Sequence, residues 1–281
     1  MKTPSLQNKV ILVTGASSGI GAAAARAFDA AGAKVALASR RREKLEELAL
    51  AMTSPLVIAV DLGDESQARD MIRQVVARFG RIDVLVNNAA SIIVDQSEVV
   101  KSEDLLRAFC TNLIAPVAAT QEALGFMRKQ GSGHIINIGS PGFMMGIPFY
   151  APYVCSKAAL TAWTRTIQAE WYGTGISISE YFPGYIKTDS PPESRLGVVD
   201  QDFLMMQEQN FIAAAFTKPK TPEHVAHQLV KLIEKPRNLA YSDFGVKIGA
   251  YLSNISSFRL AIARQMAKAA RKKKNLPFFP G

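Results

Sequence analysis

The sequence predicts an α/β fold, a doubly wound parallel sheet with helices on both faces, and three observations carry that expectation. Short apolar runs alternate with longer segments of helical spacing from Val10 to Tyr181. The runs are continuously apolar, as strands covered on both faces are. A glycine loop, Thr14 to Gly21, joins the first run to the first helix, and ligands of such sheets bind beyond the carboxyl ends of the strands.

In order, Val10–Thr14 is a strand ending at the loop, and the Ala-rich stretch Ile20–Ala31 is a helix stopped by Gly32. Lys34–Ser39 is a strand, Glu43–Met52 a helix, and Leu56–Val60 a strand closed by Asp61. Helical spacing over Ser66–Phe79 precedes the strand Ile82–Val86, which runs into Asn87–Ala90. A helix over Ser102–Gly125, bent near Pro116, leads to the strand His134–Ile138. Tyr153–Trp171 is the next long helix, and Ile176–Tyr181 the strand after it. The length suits one domain over residues 1–240, followed by a C-terminal helical extension over 241–281.

Composition narrows the function classes. Of 281 residues, 48% are apolar and 20% charged, the balance of a soluble globular chain. No run of eighteen apolar residues occurs, so no spanning helix is expected. Met1–Lys9 lacks the apolar region of a signal peptide. Cys110 and Cys155 have neither redox nor metal spacing and read as reduced thiols, which points to the cytoplasm. His224 and His227 can share a helix face, but with His134 remote they make no metal site. The formal charge of +9 is concentrated in the tail, because Phe244–Gly281 holds eight basic residues and no acid. Basicity confined there argues against nucleic-acid binding by the body.

Tyr153 and Lys157 stand four apart and share a helix face. An ammonium in that position lowers the pKa of a phenol from its ordinary value of about 10. A phenol so tuned can exchange a proton with a carbonyl or alcohol oxygen. Alone, such a pair is more often a surface pair; its company changes the reading. Ser140 precedes Tyr153 by thirteen residues, and the glycine loop opens a helix where a dinucleotide pyrophosphate would sit. In that loop Gly15 permits the tight turn, Gly19 the approach to phosphate, and Gly21 close helix packing. The loop, Ser39-Arg40, Asp61, Asn87, Ser140 and Pro183-Gly184 all fall at predicted strand ends. Together they describe hydride transfer with a nicotinamide.

From about Lys9 to about Lys235 the chain resembles the short-chain dehydrogenase/reductase family. The motifs are Thr14-Gly-x3-Gly-x-Gly21, Asn87-Asn-Ala, Asn112, Ser140, Tyr153-x3-Lys157 and Pro183-Gly184-x3-Thr188. The resemblance implies a Rossmann-type fold, NAD(P) as cofactor and an Asn-Ser-Tyr-Lys catalytic group. Carried over, Tyr153 is the acid/base, Lys157 lowers its pKa and holds the ribose, and Ser140 polarises the substrate oxygen. Asn112 fixes a water that links Lys157 to solvent; the plainer reading is a mid-helix polar residue bonded to backbone. The implied cofactor contacts are Gly15, Ser17, Ser18, Gly19, Ile20 and Gly21 in the loop, and Ser39, Arg40 and Arg41 after the second strand. Asp61 and Leu62, Asn87, Asn88 and Ala89, the pair Tyr153 and Lys157, and Pro183, Gly184, Ile186 and Thr188 complete the set. Asp61 reads equally as a helix-start residue. Ala90 replaces the family's usual glycine, a small departure.

Where an NAD-binding chain carries an acid some twenty residues beyond the loop, this one has Ser39 followed by Arg40, Arg41 and Arg42. Guanidiniums suit a 2′-phosphate, and a cationic helix start otherwise lacks a reason. NADP(H) is therefore the expected cofactor.

The family places a mobile substrate lid at about residues 189–220, here carrying Phe203–Met206 and Phe211–Phe216. Gly142–Phe149 borders the same region and is apolar. A hydrophobic secondary alcohol or carbonyl (lipid-, steroid- or retinoid-like) is one reading of these residues, and ordinary packing the other. In the tail, Ile255, Phe258, Ile262, Met266 and Ala269 recur at helical spacing opposite Arg264, Lys268 and Arg271. Peripheral membrane contact and packing on the protein both fit that pattern. The family resemblance implies a homo-dimer or homo-tetramer. The expected function is an NADP(H)-dependent oxidoreductase; the alternative is a non-catalytic dinucleotide-binding sensor or scaffold. A sugar-nucleotide epimerase needs more chain after Lys157 than is present.

Overall fold

A computed structural model describes residues 5–184, 186 and 220–252 of the chain. Its strands are β1 (Val10–Thr14), β2 (Lys34–Ser39), β3 (Leu56–Ala59), β4 (Val84–Asn87), β5 (Gly133–Ile138), β6 (Ile176–Phe182) and β7 (Leu239–Tyr241). They form one seven-stranded sheet in the order β3-β2-β1-β4-β5-β6-β7. Every pairing is parallel. The order reverses between β1 and β4, and that switch point opens a crevice at the carboxyl ends of the strands.

Side-chain alternation along the strands divides the core between two faces. On one, Ile11, Val13, Leu37, Val86 and Ile136 pack with residues of α1 (Gly19–Ala30), α2 (Arg42–Ala49) and α8 (Pro222–Glu234). On the other, Leu12, Ala36, Leu85, Ile135 and Ile178 pack with α3 (Glu65–Phe79), α5 (Ala115–Gln130) and α7 (Ala151–Glu170). The two-sided cover explains why β1 is buried throughout.

The helix ends follow their sequence signals. Asp64 caps α3 by accepting from the Ser66 N–H at 2.8 Å, and Gly80 closes it in the left-handed conformation. The segment expected as one bent helix is three pieces: α4 (Ser102–Phe109), a π turn (Cys110–Ile114) and α5. The irregularity thus precedes Pro116, which sits in the first turn of α5. The backbone stays helical from Phe109 through Ala115, so the missing N–H of Pro116 falls inside a continuous helix, directly after the π turn.

After β7, α9 (Phe244–Leu252) buries Val246, Gly249 and Ala250 against the body. The described start of the extension is therefore part of the domain's packing. The amphipathic stripe expected from Ile255 onward lies outside the described residues. Among the described residues, no helix is long and apolar enough to cross a membrane.

Candidate active site

The glycine loop depends on backbone that side chains would obstruct. Gly15 stands at φ +67°, and a Cβ there would lie 2.9 Å from Ala89 Cα. A Cβ at Gly21 would lie 2.3 Å from the Gly15 carbonyl oxygen and 2.7 Å from Asn88 Nδ2. The first turn of α1 thus closes directly on the loop. Asn88 locks it: Nδ2 donates to the Thr14 carbonyl at 2.9 Å, and its N–H donates to Thr14 Oγ1 at 3.0 Å. The Ala89 N–H reaches the same hydroxyl at 3.1 Å. Ser18 precedes α1 in extended backbone with no side-chain cap on the helix, so the first N–H groups of α1 remain available to an anion.

Arg41 lies over this loop. Its Nε and Nη2 donate to Ser17 Oγ at 3.1 and 2.8 Å, and Nη2 also donates to Ser18 Oγ at 2.7 Å. Ser39 Oγ accepts from the Arg41 N–H at 3.3 Å. Arg40 is exposed, and Arg42 is engaged within α2 by an ion pair with Glu46 at 2.8 Å. A cradle sealed against any Cβ, a helix start and a guanidinium converge, and this donor set fits a dinucleotide phosphate.

On the far side, Asp61 Oδ1 accepts from the Gly63 N–H at 2.9 Å in an exposed turn, with Leu62 buried behind it. Asn87, expected among the cofactor residues, turns its side chain inward. Its Nδ2 donates to Asn137 Oδ1 at 2.8 Å and Thr120 Oγ1 at 3.2 Å. As the last residue of β4 it faces the buried α5–α7 side of the sheet instead of the crevice, and it supports the site from beneath.

Tyr153, Lys157, Thr161 and Arg165 follow one another at four-residue intervals along α7, on one face. The Ser140 side chain acts on the Tyr153 phenol in favour of the phenolate, and Ser140 Oγ accepts from the Gly142 N–H at 3.2 Å. Lys157 Nζ donates to the Ile138 carbonyl at 2.8 Å. Burial drives the Lys157 ammonium down to about 8, with Glu180 acting against the fall. The Tyr153 phenol stands above its ordinary range: burial raises it and the Ser140 bond opposes the rise. The spacing alone suggested a lowered phenol. Desolvation outweighs what favours the phenolate.

Asn112 lies in the π turn and is fully buried. Its Nδ2 donates to the Ser91 carbonyl and to Ser156 Oγ, both at 2.9 Å, and its Oδ1 accepts from the Ser91 N–H at 2.7 Å. Both of its N–H protons are therefore spent on protein partners. The side chain ties the π turn to α7 at the level of Tyr153, whose carbonyl accepts from Ser156 Oγ at 2.8 Å. The sequence reading missed Ser91 and Ser156; Ser156, one residue before Lys157, was the findable one.

An apolar wall flanks Tyr153, formed by Ile92, Val94, Ile147, Phe149, Tyr150 and Val154. Phe149 holds φ at 71°, a strained conformation for a bulky residue. Pro183 and Gly184 end β6 at the crevice, and Ile186 makes a bridge to Lys220. Thr188 lies outside the described residues, as does the expected lid apart from Lys220.

The comparisons agree with this geometry. The short chain dehydrogenase family profile matches residues 9–197. The zebrafish (Danio rerio) dehydrogenase/reductase SDR family member 7B is 30% identical over 96% of this chain and 88% of its own. A Drosophila melanogaster SDR family protein 7-like is 32% identical over 89% of this chain and 77% of its own. The crystal structure of a short-chain dehydrogenase from Streptomyces avermitilis superposes with a TM-score of 0.77 at 28% identity, covering 95% of this chain and 99% of that one. Family profile, sheet order and the Ser140–Tyr153–Lys157 cluster meet in one assignment: the chain belongs to the short-chain dehydrogenase family, oxidoreductases that bind a nicotinamide dinucleotide.

Proposed function

We propose that the protein is an NADP(H)-dependent oxidoreductase that interconverts a hydrophobic secondary alcohol and its carbonyl. The observation that carries the coenzyme choice is the Arg41 guanidinium, bonded to both Ser17 and Ser18 at the mouth of the phosphate loop. No acid replaces it at the end of β2, where Ser39 and Arg40 stand. A 2′-phosphate there gains a bidentate partner, whereas a 2′-hydroxyl would leave the guanidinium without an anion.

When bound, the nicotinamide supplies the hydride donor or acceptor. The loop from Gly15 to Gly21 and the start of α1 hold its phosphates, Arg41 its 2′-phosphate, and Lys157 its ribose. Tyr153 then gives a proton to the substrate oxygen in reduction, or takes it in oxidation. Ser140 bonds the same oxygen and stabilises charge as it develops. Asn112 holds the π turn against α7 through Ser156 and so fixes the Tyr153 backbone. The wall of Ile92, Val94, Ile147 and Phe149 beside the phenol supports an apolar substrate and keeps water from it.

Dinucleotide affinities test the coenzyme assignment. Wild-type protein is expected to bind NADPH more tightly than NADH. Arg41→Ala should erase most of that preference, a loss of ~10- to 100-fold in NADPH affinity for one charge-assisted contact. An unchanged ratio of the two dissociation constants refutes it.

A further inference from the structure

Glu180 is a carboxylate buried in the core. It lies on β6, is 1% exposed, and one of its oxygens has no hydrogen-bond partner. A buried carboxylate costs several kcal/mol unless charge and hydrogen bonds offset it. Its surroundings tie it to the candidate catalytic pair. Thr161, one turn beyond Lys157, donates to Glu180 Oε1. Arg165, one turn further, brings Nε to 3.8 Å from Oε2. On the sheet side, a Cβ at Gly139 would lie 3.1 Å from Glu180 Oε1. Gly139 sits between Ser140 and Ile138, whose carbonyl receives Lys157 Nζ. The carboxylate therefore lies directly under the segment that carries Ser140 and anchors Lys157.

We propose that Glu180 is a positioning residue for the Tyr153–Lys157 pair, a buried counter-charge that keeps the Lys157 side chain an ammonium while it serves the phenol. The inference rests on the activity proposed above. It concerns charge and not contact with substrate. The groups facing Glu180 are Lys157, Thr161 and Arg165 from α7, Asn137 from the neighbouring β5 and Tyr241 from β7. Burial pushes the Glu180 carboxyl up, and Thr161, Arg165 and Lys157 pull it back. Burial pushes Lys157 down, and the Glu180 charge opposes that fall, while the Ile138 carbonyl that receives Nζ carries no net charge. Arg165 reaches solvent, so it supports the carboxylate without competing for the inner position.

The sign is fixed. Without the carboxylate, Lys157 gives up its proton at lower pH. On the role proposed above for Lys157, the phenol then loses an ammonium that favours phenolate, and alcohol oxidation needs higher pH. The test follows the Lys157 ε-carbon by NMR in full-length protein, with the resonance assigned by its absence in Lys157→Met. The pH profile of kcat for alcohol oxidation is recorded in parallel. Glu180→Gln should lower the Lys157 midpoint by about one pH unit, tenfold in proton affinity, and shift the oxidation limb upward by a similar amount. Glu180→Leu, which packs the site with apolar volume, should do the same if the Gln variant fails to fold. Glu180→Asp should keep the wild-type midpoint. An unmoved midpoint in the uncharged variants, or an equal drop in Glu180→Asp, overturns the proposal. If the wild type oxidises no alcohol, the activity proposal fails, while the lysine titration still decides this one.

Discussion

Replacing Gly21 by alanine puts the phosphate cradle under a calculable load. The new Cβ would stand 2.3 Å from the Gly15 oxygen, where ordinary contact begins near 3.4 Å. About 1 Å of separation must be found between two stretches of backbone. Gly15 cannot yield freely, because it is packed on Ala89 and its neighbour Thr14 accepts from Asn88 Nδ2 at 2.9 Å. Overpacking of this kind costs about 1–3 kcal/mol. Loss of the Asn88 bond adds about 1 kcal/mol. A total of about 2–4 kcal/mol, divided between fold and ligand, corresponds to ~30- to 700-fold if it falls wholly on dinucleotide affinity. Thermal unfolding without dinucleotide and NADPH titration by fluorescence measure the two parts separately. Gly125→Ala is the control, since nothing lies within 4 Å of its Cβ position in α5. That change should stabilise the protein by about 0.5–1 kcal/mol. Gly21→Ala unfolding and binding like wild type would refute the reasoning, as would equal damage from Gly125→Ala.

Two further outcomes follow from buried polar groups. His134 Nε2 donates to Ser179 Oγ at 2.7 Å, because that hydroxyl spends its own proton on the Arg237 carbonyl at 2.6 Å. Burial, with Lys9 assisting, lowers the imidazole from 6.5 to about 4. A base with a lowered folded pKa leaves the unfolded chain holding more protons between those values, so stability falls as pH drops from 6.5 toward 4. The loss between those readings is roughly 2 kcal/mol and should be absent in His134→Gln, read by urea unfolding at pH 7 and pH 4.5. Asn112→Ala leaves the partly buried Ser91 N–H without its acceptor and should cost about 1–3 kcal/mol. It should also lower kcat more than it raises KM for coenzyme, because it frees α7 from the π turn. Rescue of kcat by Asn112→Asp is not expected, since a carboxylate cannot donate to Ser156.

Much of this was readable from residue order. Continuously apolar runs such as Val10–Thr14 required a sheet covered on both faces, and the glycine spacing followed from the strand-to-helix turn it serves. The resemblance supplied Asn112, which no spacing argument identifies. Three features were not readable because they depend on which face a residue takes. Asn87 looked like a ligand residue at a strand end, yet the pleat turns it to Thr120 and Asn137. The bend expected near Pro116 takes the form of a π turn at Cys110–Ile114, and its asparagine is held by Ser91 and Ser156, partners that no local pattern shows. Glu180 lies in a strand otherwise rich in apolar residues, and only the register of β6 beneath α7 reveals its neighbours.

The most direct measurement is NADPH oxidation against a panel of hydrophobic ketones, by wild-type protein and Tyr153→Phe at equal coenzyme saturation. The account predicts turnover by the wild type and a loss of at least ~100-fold in kcat for the variant, with NADPH affinity unchanged. A phenylalanine variant that turns over at the wild-type rate would contradict it.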